Sequence, residues 1–160
     1  MRHGFVKVGF CTPEVKVADC VFNAEKIIEA KKKASNDGVK LLVFPELCIT
    51  GYTCSDLFLQ MRLIEGAQKS LENIAALTRE TGVISAHGCS ISHAGKLYNR
   101  VCMVYGGEII GIVPKKNLPN YSEFYEKRHF SEAPEIPMDI DFGQTSCPFG
   151  TDLLFSGREI

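Results

Sequence analysis

The order in which strand-like and helix-like segments alternate limits the fold of this chain more than any other feature. Residues 5–11 are strand-like, and apolar residues recur at helical spacing over residues 17–37. A short apolar run follows at residues 39–44, and a second amphipathic helix is predicted over residues 59–81. Three more strand-like runs then follow, at residues 83–91, 97–105 and 109–113. This order predicts a layered α/β fold that ends in a meander of hairpins.

The spacing of apolar residues within the two predicted helices indicates which sides face the core. The first helix is predicted to bury Val17, Val21, Ala24, Ile28 and Ala34, and the second to bury Leu63, Ala67, Ile74 and Leu77. Gly38 and Gly82 are interpreted as helix ends, because glycine readily adopts the conformation that closes a helix. The run of lysines at 31–33 is interpreted as solvated, since cations are favourable in the last turn of a helix.

The regular pattern of apolar residues ends at Pro114. Residues 115–152 combine prolines, aromatic residues and many charged residues, which predicts a long ordered loop region with one helical turn at most. The aromatic residues argue against disorder, because disordered segments contain few of them.

Composition and charge exclude several classes of partner. The 160 residues carry 18 Lys plus Arg against 19 Asp plus Glu, a formal net charge of −1. This balance gives no electrostatic basis for binding nucleic acid or an anionic membrane. No apolar stretch approaches the ~20 residues of a membrane span, and the start lacks the pattern of a signal peptide. The expected compartment is therefore the cytoplasm.

Seven cysteines and four histidines could suggest disulfides or a metal site. The cysteine number is odd, its spacing is irregular, and no Cys-x-x-Cys pair occurs. The histidines have no spacing typical of metal ligands. Buried free thiols are therefore predicted for most of the cysteines, and no metal is expected.

Three segments place chemically capable side chains after predicted strands. Glu46 follows the second predicted strand, and ligands bind at such strand ends in open α/β sheets, so Glu46 is a candidate general base. Lys115 and Lys116 follow the last predicted strand, where a lysine beside a carboxylate could stabilise an oxyanion. Residues 121–128 offer aromatic pocket walls, and Glu126 could orient an amine. Taken alone, each segment is also compatible with an exposed loop.

The three segments in this order resemble the signature of the nitrilase (carbon–nitrogen hydrolase) superfamily. The strings FPELCITGY and KKNLP are similar to its first two motifs. Its members use a Glu-Lys-Cys triad on an αββα sandwich. The resemblance implies that Glu46 is the general base, that Lys115 rather than Lys116 is the catalytic lysine, and that Glu126 is an auxiliary glutamate. It also implies an α/β chain that forms an incomplete nitrilase-like αββα sandwich.

Longer strings narrow the resemblance to one branch, the glutaminase domain of glutamine-dependent NAD synthetases. They are FPELCITGYTCSDLF, GIVPKKNLPNYSEFYEKRHF and FGTDLLF, and the resemblance extends over nearly the whole chain. It implies that Tyr52, Tyr121 and Phe124 contact the substrate glutamine, and that Glu126 belongs to the same substrate-binding site and helps to arrange it.

One motif of the family is not matched within the 160 residues. A strand ending in an Ile-Cys-Glu-Asp-like sequence, which carries the nucleophile, is expected after FGTDLLF. Cys147 precedes that string and is followed by Pro148, so it fits the motif poorly. We therefore expect residues 1–160 to be the N-terminal portion of a carbon–nitrogen hydrolase (glutaminase) domain that is inactive alone. The remainder of that domain and a C-terminal synthetase domain are expected to be absent.

The resemblance implies an activity for the complete enzyme. Its glutaminase domain would release ammonia from glutamine, and its synthetase domain would use ATP and Mg²⁺ to amidate nicotinic acid adenine dinucleotide to NAD. No cofactor is expected in the 160 residues themselves, because they contain no glycine-rich phosphate loop. Missing strands would leave an uncovered apolar face and unpaired edges, so a homo-oligomer is expected. A stand-alone nitrilase-like amidase and a non-catalytic interaction module are the alternatives.

Overall fold

The computed structural model describes residues 4–143 and 145–157, which form helices around one mixed β-sheet. The strands are β1 (Val8–Phe10), β2 (Leu41–Val43), β3 (Ile84–His93), β4 (Lys96–Tyr105), β5 (Glu108–Pro114), β6 (Met138–Phe142) and β7 (Thr145–Phe149). Their order across the sheet is β1-β2-β3-β4-β5-β7-β6. The first three strands are parallel, and β3, β4 and β5 form an antiparallel meander. The predicted α/β fold and its meander are therefore confirmed.

The first helix, α1 (Cys20–Asn36), lies within the range that the sequence predicts. It begins after Asp19, whose side-chain oxygen accepts a hydrogen bond from the Phe22 N–H over 3.1 Å. Such a cap satisfies one of the backbone donors that a helix start leaves without a partner. Gly38 follows the helix with a φ of +74°, as expected for a glycine that closes it.

The buried side of α1 differs from the predicted one. Three predicted residues pack against the core, namely Ala24, Ile28 and Ala34. Val17 and Val21 are exposed, so their predicted burial is wrong. The helix instead buries Cys20, Asn23, Ile27 and Lys31. The predicted solvation of Lys31 is also wrong, because its side chain lies on the core side one turn after Ile27.

The second helix, α2 (Met61–Leu77), is shorter than predicted at both ends. A separate, kinked 3₁₀ segment, Tyr52–Leu59, precedes it, and a short 3₁₀ turn follows and ends at Gly82. The predicted buried residues Leu63, Ala67 and Ile74 are confirmed, but Leu77 is exposed because the helix ends there. No helix in the described part of the chain is both long enough and apolar enough to cross a membrane.

The predicted long loop contains two strands that the sequence pattern did not reveal. Strands β6 and β7 pair antiparallel, and β7 adds to the sheet beside β5 through the pair Ile112 and Phe149. Pro148 lies within β7, where a proline normally argues against a strand. The predicted single helical turn is present as α3 (Glu126–His129).

The two faces of the sheet have different surroundings. Helices α1 and α2 pack together and cover one face, where the core residues lie. Alternation along the strands directs a second set of side chains to the opposite face. We call it the open face and define it by Val8, Phe10, Val43, Val101 and Tyr105. These apolar side chains are exposed, up to 87% for Phe10, so the predicted uncovered apolar face is present in this chain.

Candidate active site

Glu46 lies in the turn that follows β2, the position that the sequence predicts for a site residue. The next residue, Leu47, has a φ of +51° and a buried side chain, so the turn is locally strained and anchored in the core. The turn crosses β3 at Gly88, where an added Cβ would lie 2.7 Å from the Glu46 Cα and 2.5 Å from the Pro45 oxygen. Gly88 therefore allows the close crossing that directs Glu46 out of the sheet.

Lys115 follows β5 and extends the ladder with β4. Its backbone N–H donates a hydrogen bond to the Asn99 carbonyl oxygen over 2.8 Å. Its Nζ donates to Glu46 Oε1 at 2.7 Å and to Glu126 Oε1 at 2.8 Å. The neighbouring Lys116 is exposed. Of the two lysines in the motif, the structure thus brings Lys115 to the two glutamates.

Glu126 begins the short helix α3 and is almost fully buried. Its Oε1 accepts hydrogen bonds from Lys115 Nζ and, over 3.2 Å, from the Tyr52 hydroxyl. Its Oε2 is buried and has no hydrogen-bond partner among the described residues. Glu46, Lys115, Glu126 and Tyr52 therefore meet in one cluster, although they are far apart in sequence.

The charges of this cluster compensate one another. Burial alone would favour the neutral form of Lys115, but its hydrogen bonds to Glu126 and Glu46 outweigh that effect and raise its pKa. Burial and the adjacent Glu126 carboxylate raise the pKa of Tyr52. Lys115 is thus a cation, and Tyr52 is a neutral hydrogen-bond donor, at neutral pH. A paired cation beside a partly exposed carboxylate can stabilise negative charge that develops on a substrate.

A cleft of about 570 Å³ opens beside the cluster. Its lining includes Tyr52, Asp56, Phe58, Phe124, Glu126 and Arg128. Phe124, which the resemblance predicts to contact the substrate, thus lines this cleft. Tyr121 packs against the Phe124 ring, with centroids 5.6 Å apart, but it is exposed and lies outside the cleft lining. The substrate-contact roles of both aromatic residues stay predictions.

An ion pair joins the two segments that form the cleft. Asp56 accepts hydrogen bonds from Arg128 Nε at 2.8 Å and Arg128 Nη2 at 2.9 Å. It also contacts His129 Nε2 at 3.0 Å. The Arg128 guanidinium and His129 hold the pKa of the Asp56 carboxyl below its usual range. Because Asp56 is exposed, water screens this pair, and it positions the two segments more than it stabilises the fold.

The cysteines have structural environments. All seven are free, and six are buried, which confirms the predicted buried thiols. Cys48 is two residues from Glu46, but its Sγ points to the Gly88 carbonyl oxygen 3.5 Å away, and burial raises its pKa to about 12. Burial also raises the pKa of Cys147 to about 11. Within residues 4–143 and 145–157, no group of His, Cys, Asp or Glu side chains could hold a metal ion.

Two residues of the site were missed by sequence reasoning. Asn99 Nδ2 donates a hydrogen bond to Glu46 Oε1 over 2.5 Å, and Asn99 is buried within β4. Its only signal in the sequence is a polar residue inside an otherwise strand-like run. Gly88 had a clearer signal, because a glycine within a strand often marks a close approach of another backbone segment.

Comparison with known proteins adds independent information. The sequence pattern of the carbon-nitrogen hydrolase family matches residues 7–158. A glutamine-dependent NAD(+) synthetase of Mycobacterium bovis is 32% identical over 159 residues, which are 99% of this chain and 23% of that protein. The chain therefore spans about a quarter of the length of the relatives that it matches.

Solved structures agree with the sequence comparison. The crystal structure of a glutamine-dependent NAD(+) synthetase from Cytophaga hutchinsonii has a TM-score of 0.88 and 33% identity, over 96% of this chain and 26% of that chain. An amidase from Nesterenkonia sp. AN1 shares the fold, with a TM-score of 0.70 and 20% identity, over 94% of this chain and 56% of that one. These neighbours support the predicted nitrilase-like α/β sandwich.

Proposed function

Because the chain belongs to the carbon–nitrogen hydrolase family, we propose that it supplies the general base, the lysine and the substrate cleft of a glutamine-hydrolysing site. In this proposal the site is part of a glutamine-dependent NAD synthetase, because the relatives described above carry that name. The observation that carries the proposal is the position of Lys115 Nζ, 2.7 Å from Glu46 Oε1 and 2.8 Å from Glu126 Oε1. Two carboxylates around one ammonium can provide both a proton acceptor and a fixed positive charge.

The proposed reaction begins with proton transfer to Glu46. Glu46 takes the proton of a cysteine thiol, and the thiolate attacks the side-chain amide carbon of glutamine. The amide oxygen becomes an oxyanion, which the Lys115 ammonium stabilises. Glu46 returns the proton to the leaving nitrogen, and ammonia departs. Water, activated by Glu46, then hydrolyses the thioester to glutamate and restores the thiol.

We propose that the nucleophilic cysteine belongs to a segment outside residues 1–160. The thiolate is the reactive form of cysteine, and burial in apolar surroundings disfavours it. The pKa of Cys48 is raised to about 12 and that of Cys147 to about 11, and both thiols point at backbone carbonyl oxygens. These environments are typical of structural thiols, which supports a nucleophile from elsewhere.

Substrate contacts are proposed from the cleft. Tyr52 and Phe124 line it beside Glu126, and Tyr121 supports the Phe124 ring from outside. Glu126 Oε1 accepts hydrogen bonds from Lys115 Nζ and the Tyr52 hydroxyl, and its Oε2 is buried, so Glu126 is proposed to act on the substrate through these two side chains. Together these groups are proposed to hold the glutamine side chain against Lys115.

The rest of the proposed enzyme lies outside the described residues. We propose that further strands of an αββα sandwich cover the open face in the complete protein, because so much apolar surface is rarely left exposed. The ammonia released would serve a synthetase domain that uses ATP and Mg²⁺. Association of the chain into a homo-oligomer is part of the same proposal.

Ammonia release from glutamine tests the function. We expect a complete protein that contains these 160 residues to release ammonia and Glu46→Gln to lower the rate by ~10²–10⁴-fold, the usual contribution of a general base. The matched control is Glu25→Gln, which makes the same change at an exposed position of α1 and should retain the wild-type rate. A Glu46→Gln protein with an unchanged rate would refute the proposed role.

Two further assays sharpen this test. The 160-residue chain alone should release no ammonia, whereas Glu46-dependent release from it would place the nucleophile among its own cysteines. Faster hydrolysis of acetamide than of glutamine by the complete protein would favour a stand-alone amidase. No hydrolysis of either amide would leave a non-catalytic module.

A further inference from the structure

Asn99 contacts both catalytic candidates through different groups. Its side-chain Nδ2 donates to Glu46 Oε1 over 2.5 Å, and its carbonyl oxygen accepts the Lys115 backbone N–H over 2.8 Å. Asn99 is only 3% exposed and lies in the middle of the antiparallel ladder, opposite Ser90 of β3. A residue fixed in this way can hold two partners at a constant separation.

We propose that Asn99 is a positioning residue that selects which oxygen of Glu46 receives the thiol proton. This inference rests on the proposed function, because it assigns a detail of the same site. Asn99 Nδ2 and Lys115 Nζ both donate to Oε1 of Glu46. Within the described residues, Oε2 accepts no hydrogen bond, and the Glu46 side chain is 41% exposed. Oε2 is therefore the oxygen that is free to accept a proton.

The chemistry of the amide supports this assignment. A glutamate carboxylate can only accept hydrogen bonds, so the amide nitrogen of Asn99, and not its oxygen, must face Glu46. An amide donor stays neutral and keeps its protons over the whole working pH range. Asn99 thus holds the Glu46 carboxylate in place without adding charge between it and Lys115.

The backbone and side-chain contacts of Asn99 can be separated by mutation. Substitution of the side chain removes the donor to Glu46 but leaves the carbonyl oxygen that holds Lys115. Asn99→Ala removes the donor only, whereas Asn99→Asp replaces it with a group that repels the Glu46 carboxylate at neutral pH. The matched control is Asn117→Asp, which makes the same charge change at an exposed position two residues after Lys115.

The first test compares kcat and KM for glutamine hydrolysis by the complete protein and its variants. We expect kcat to fall roughly 10- to 100-fold in Asn99→Ala and further in Asn99→Asp, as for a lost hydrogen bond to a charged group. KM should change by less than about threefold, because Asn99 does not touch the substrate cleft. Asn117→Asp should resemble the wild type.

The outcomes separate this inference from the proposed function. A wild-type kcat in both Asn99 variants would overturn the inference while leaving the function intact. An equal fall of kcat in Asn117→Asp would also overturn it, since net charge would then explain the effect. Absence of hydrolysis by the wild-type protein would refute the function instead.

The second test needs neither activity nor a substitution at Asn99. In the ¹⁵N-labelled 160-residue chain, the Asn99 side-chain amide protons should resonate downfield and exchange slowly with solvent. Glu46→Gln should remove that downfield shift, and the Asn117 side-chain signals should stay in place. An Asn99 amide that does not respond to Glu46→Gln would refute the contact on which the inference depends.

Discussion

Lys115 and Lys31 show how differently this chain treats two lysines. Lys115 is 29% exposed, and its ammonium contacts two carboxylates, whereas Lys31 is fully buried and its Nζ has no hydrogen-bond partner among the described residues. Burial acts on both, but the carboxylates reverse its effect on Lys115 and raise that pKa. At Lys31 burial is not offset by a carboxylate of the described residues, and it lowers the pKa of Lys31 to about 8. A charge thus persists out of water where a partner replaces the lost hydration.

The surroundings of Lys31 contain a second buried polar side chain, His87, whose hydrogen-bonding groups are only partly satisfied. His87 is completely buried, stacks on Phe44 with ring centroids 4.9 Å apart, and contacts Ser85 Oγ through Nε2 at 2.8 Å. Its Nδ1 has no hydrogen-bond partner in the described part of the chain. Burial, and secondly the charge of Lys31, lower the pKa of His87 to about 3. The core between α1 and β3 therefore keeps a neutral imidazole beside an uncompensated ammonium, an arrangement that lowers stability.

Replacement of Lys31 by an apolar residue of similar length should give the largest change in stability. The lowering of the Lys31 pKa from 10.5 to about 8 corresponds to roughly 3 kcal/mol, at ~1.4 kcal/mol per unit. We therefore expect Lys31→Met to raise the free energy of unfolding by about 3 kcal/mol at pH 7, as measured by urea denaturation.

The adjacent lysine provides the control for this prediction. Lys32 is exposed on the same helix, so Lys32→Met should change the stability by less than ~0.5 kcal/mol. Destabilisation by Lys31→Met would mean that the Lys31 ammonium has a stabilising partner, and the contrast with Lys115 would disappear.

The difference between Lys31 and Lys115 can also be measured through the pH dependence of the free energy of unfolding. Between pH 8 and 10.5 the folded chain carries neutral Lys31, whereas the unfolded chain still binds the proton, so rising pH favours the folded state. Lys115 has a raised pKa, so its contribution is complete below 10.5 and is lost only as pH rises through its folded value. The stability difference between Lys31→Met and the wild type should narrow by roughly 3 kcal/mol from pH 7 to 10.5.

The stability difference between the two proteins removes the contributions of other groups that titrate in the same pH range, because both proteins contain those groups. Cys20, for example, has its pKa raised to about 11 by burial, which weakens the folded state above its ordinary value of 9.0 in both proteins. A difference that stays constant from pH 7 to 10.5 would show that Lys31 keeps its proton in the folded state.

The two lysines also show what could be predicted from the sequence. Lys115 was identified because the resemblance assigns a role to that position in a motif, and the structure brings it to Glu46 and Glu126. The burial of Lys31 could not be predicted, because a run of three lysines near a helix end normally faces water. Its burial depends on how far α1 rotates against the sheet, and that rotation is set by tertiary packing, which the periodicity of one helix does not determine.

The same limit applies to the rest of the fold and site. The meander and both long helices have strong local periods, so they could be predicted. Strands β6 and β7 could not, because Pro148 and the short length of each strand hide their pattern. Asn99 was missed for a related reason. Its role depends on the pairing of β4 with β3 and β5, which brings together residues that are far apart in sequence.

Gly88 lies between the Lys31 region of the core and the active-site turn that carries Glu46. Its substitution should change the free energy of unfolding less than Lys31→Met does. His87 points to the Lys31 side of β3, while Gly88 faces the Glu46 turn on the other side. A Cβ at position 88 would lie 2.7 Å from the Glu46 Cα, and the colliding atoms belong to backbone that cannot move aside alone. Gly88→Ala should lower stability by about 2 kcal/mol, the usual range for overpacking, and displace Glu46 from Lys115.

A second glycine gives the matched control for this substitution. At Gly66, within α2, the nearest atom to an added Cβ is Cys20 Sγ at 3.8 Å, an ordinary contact. Gly66→Ala should therefore raise stability by about 0.5–1 kcal/mol, because alanine favours a helix more than glycine does. Urea denaturation of both variants measures whether each substitution raises or lowers the free energy of unfolding. If Gly88→Ala were neutral or stabilising, the turn would have room to shift, and the position of Glu46 would not depend on the close crossing at β3.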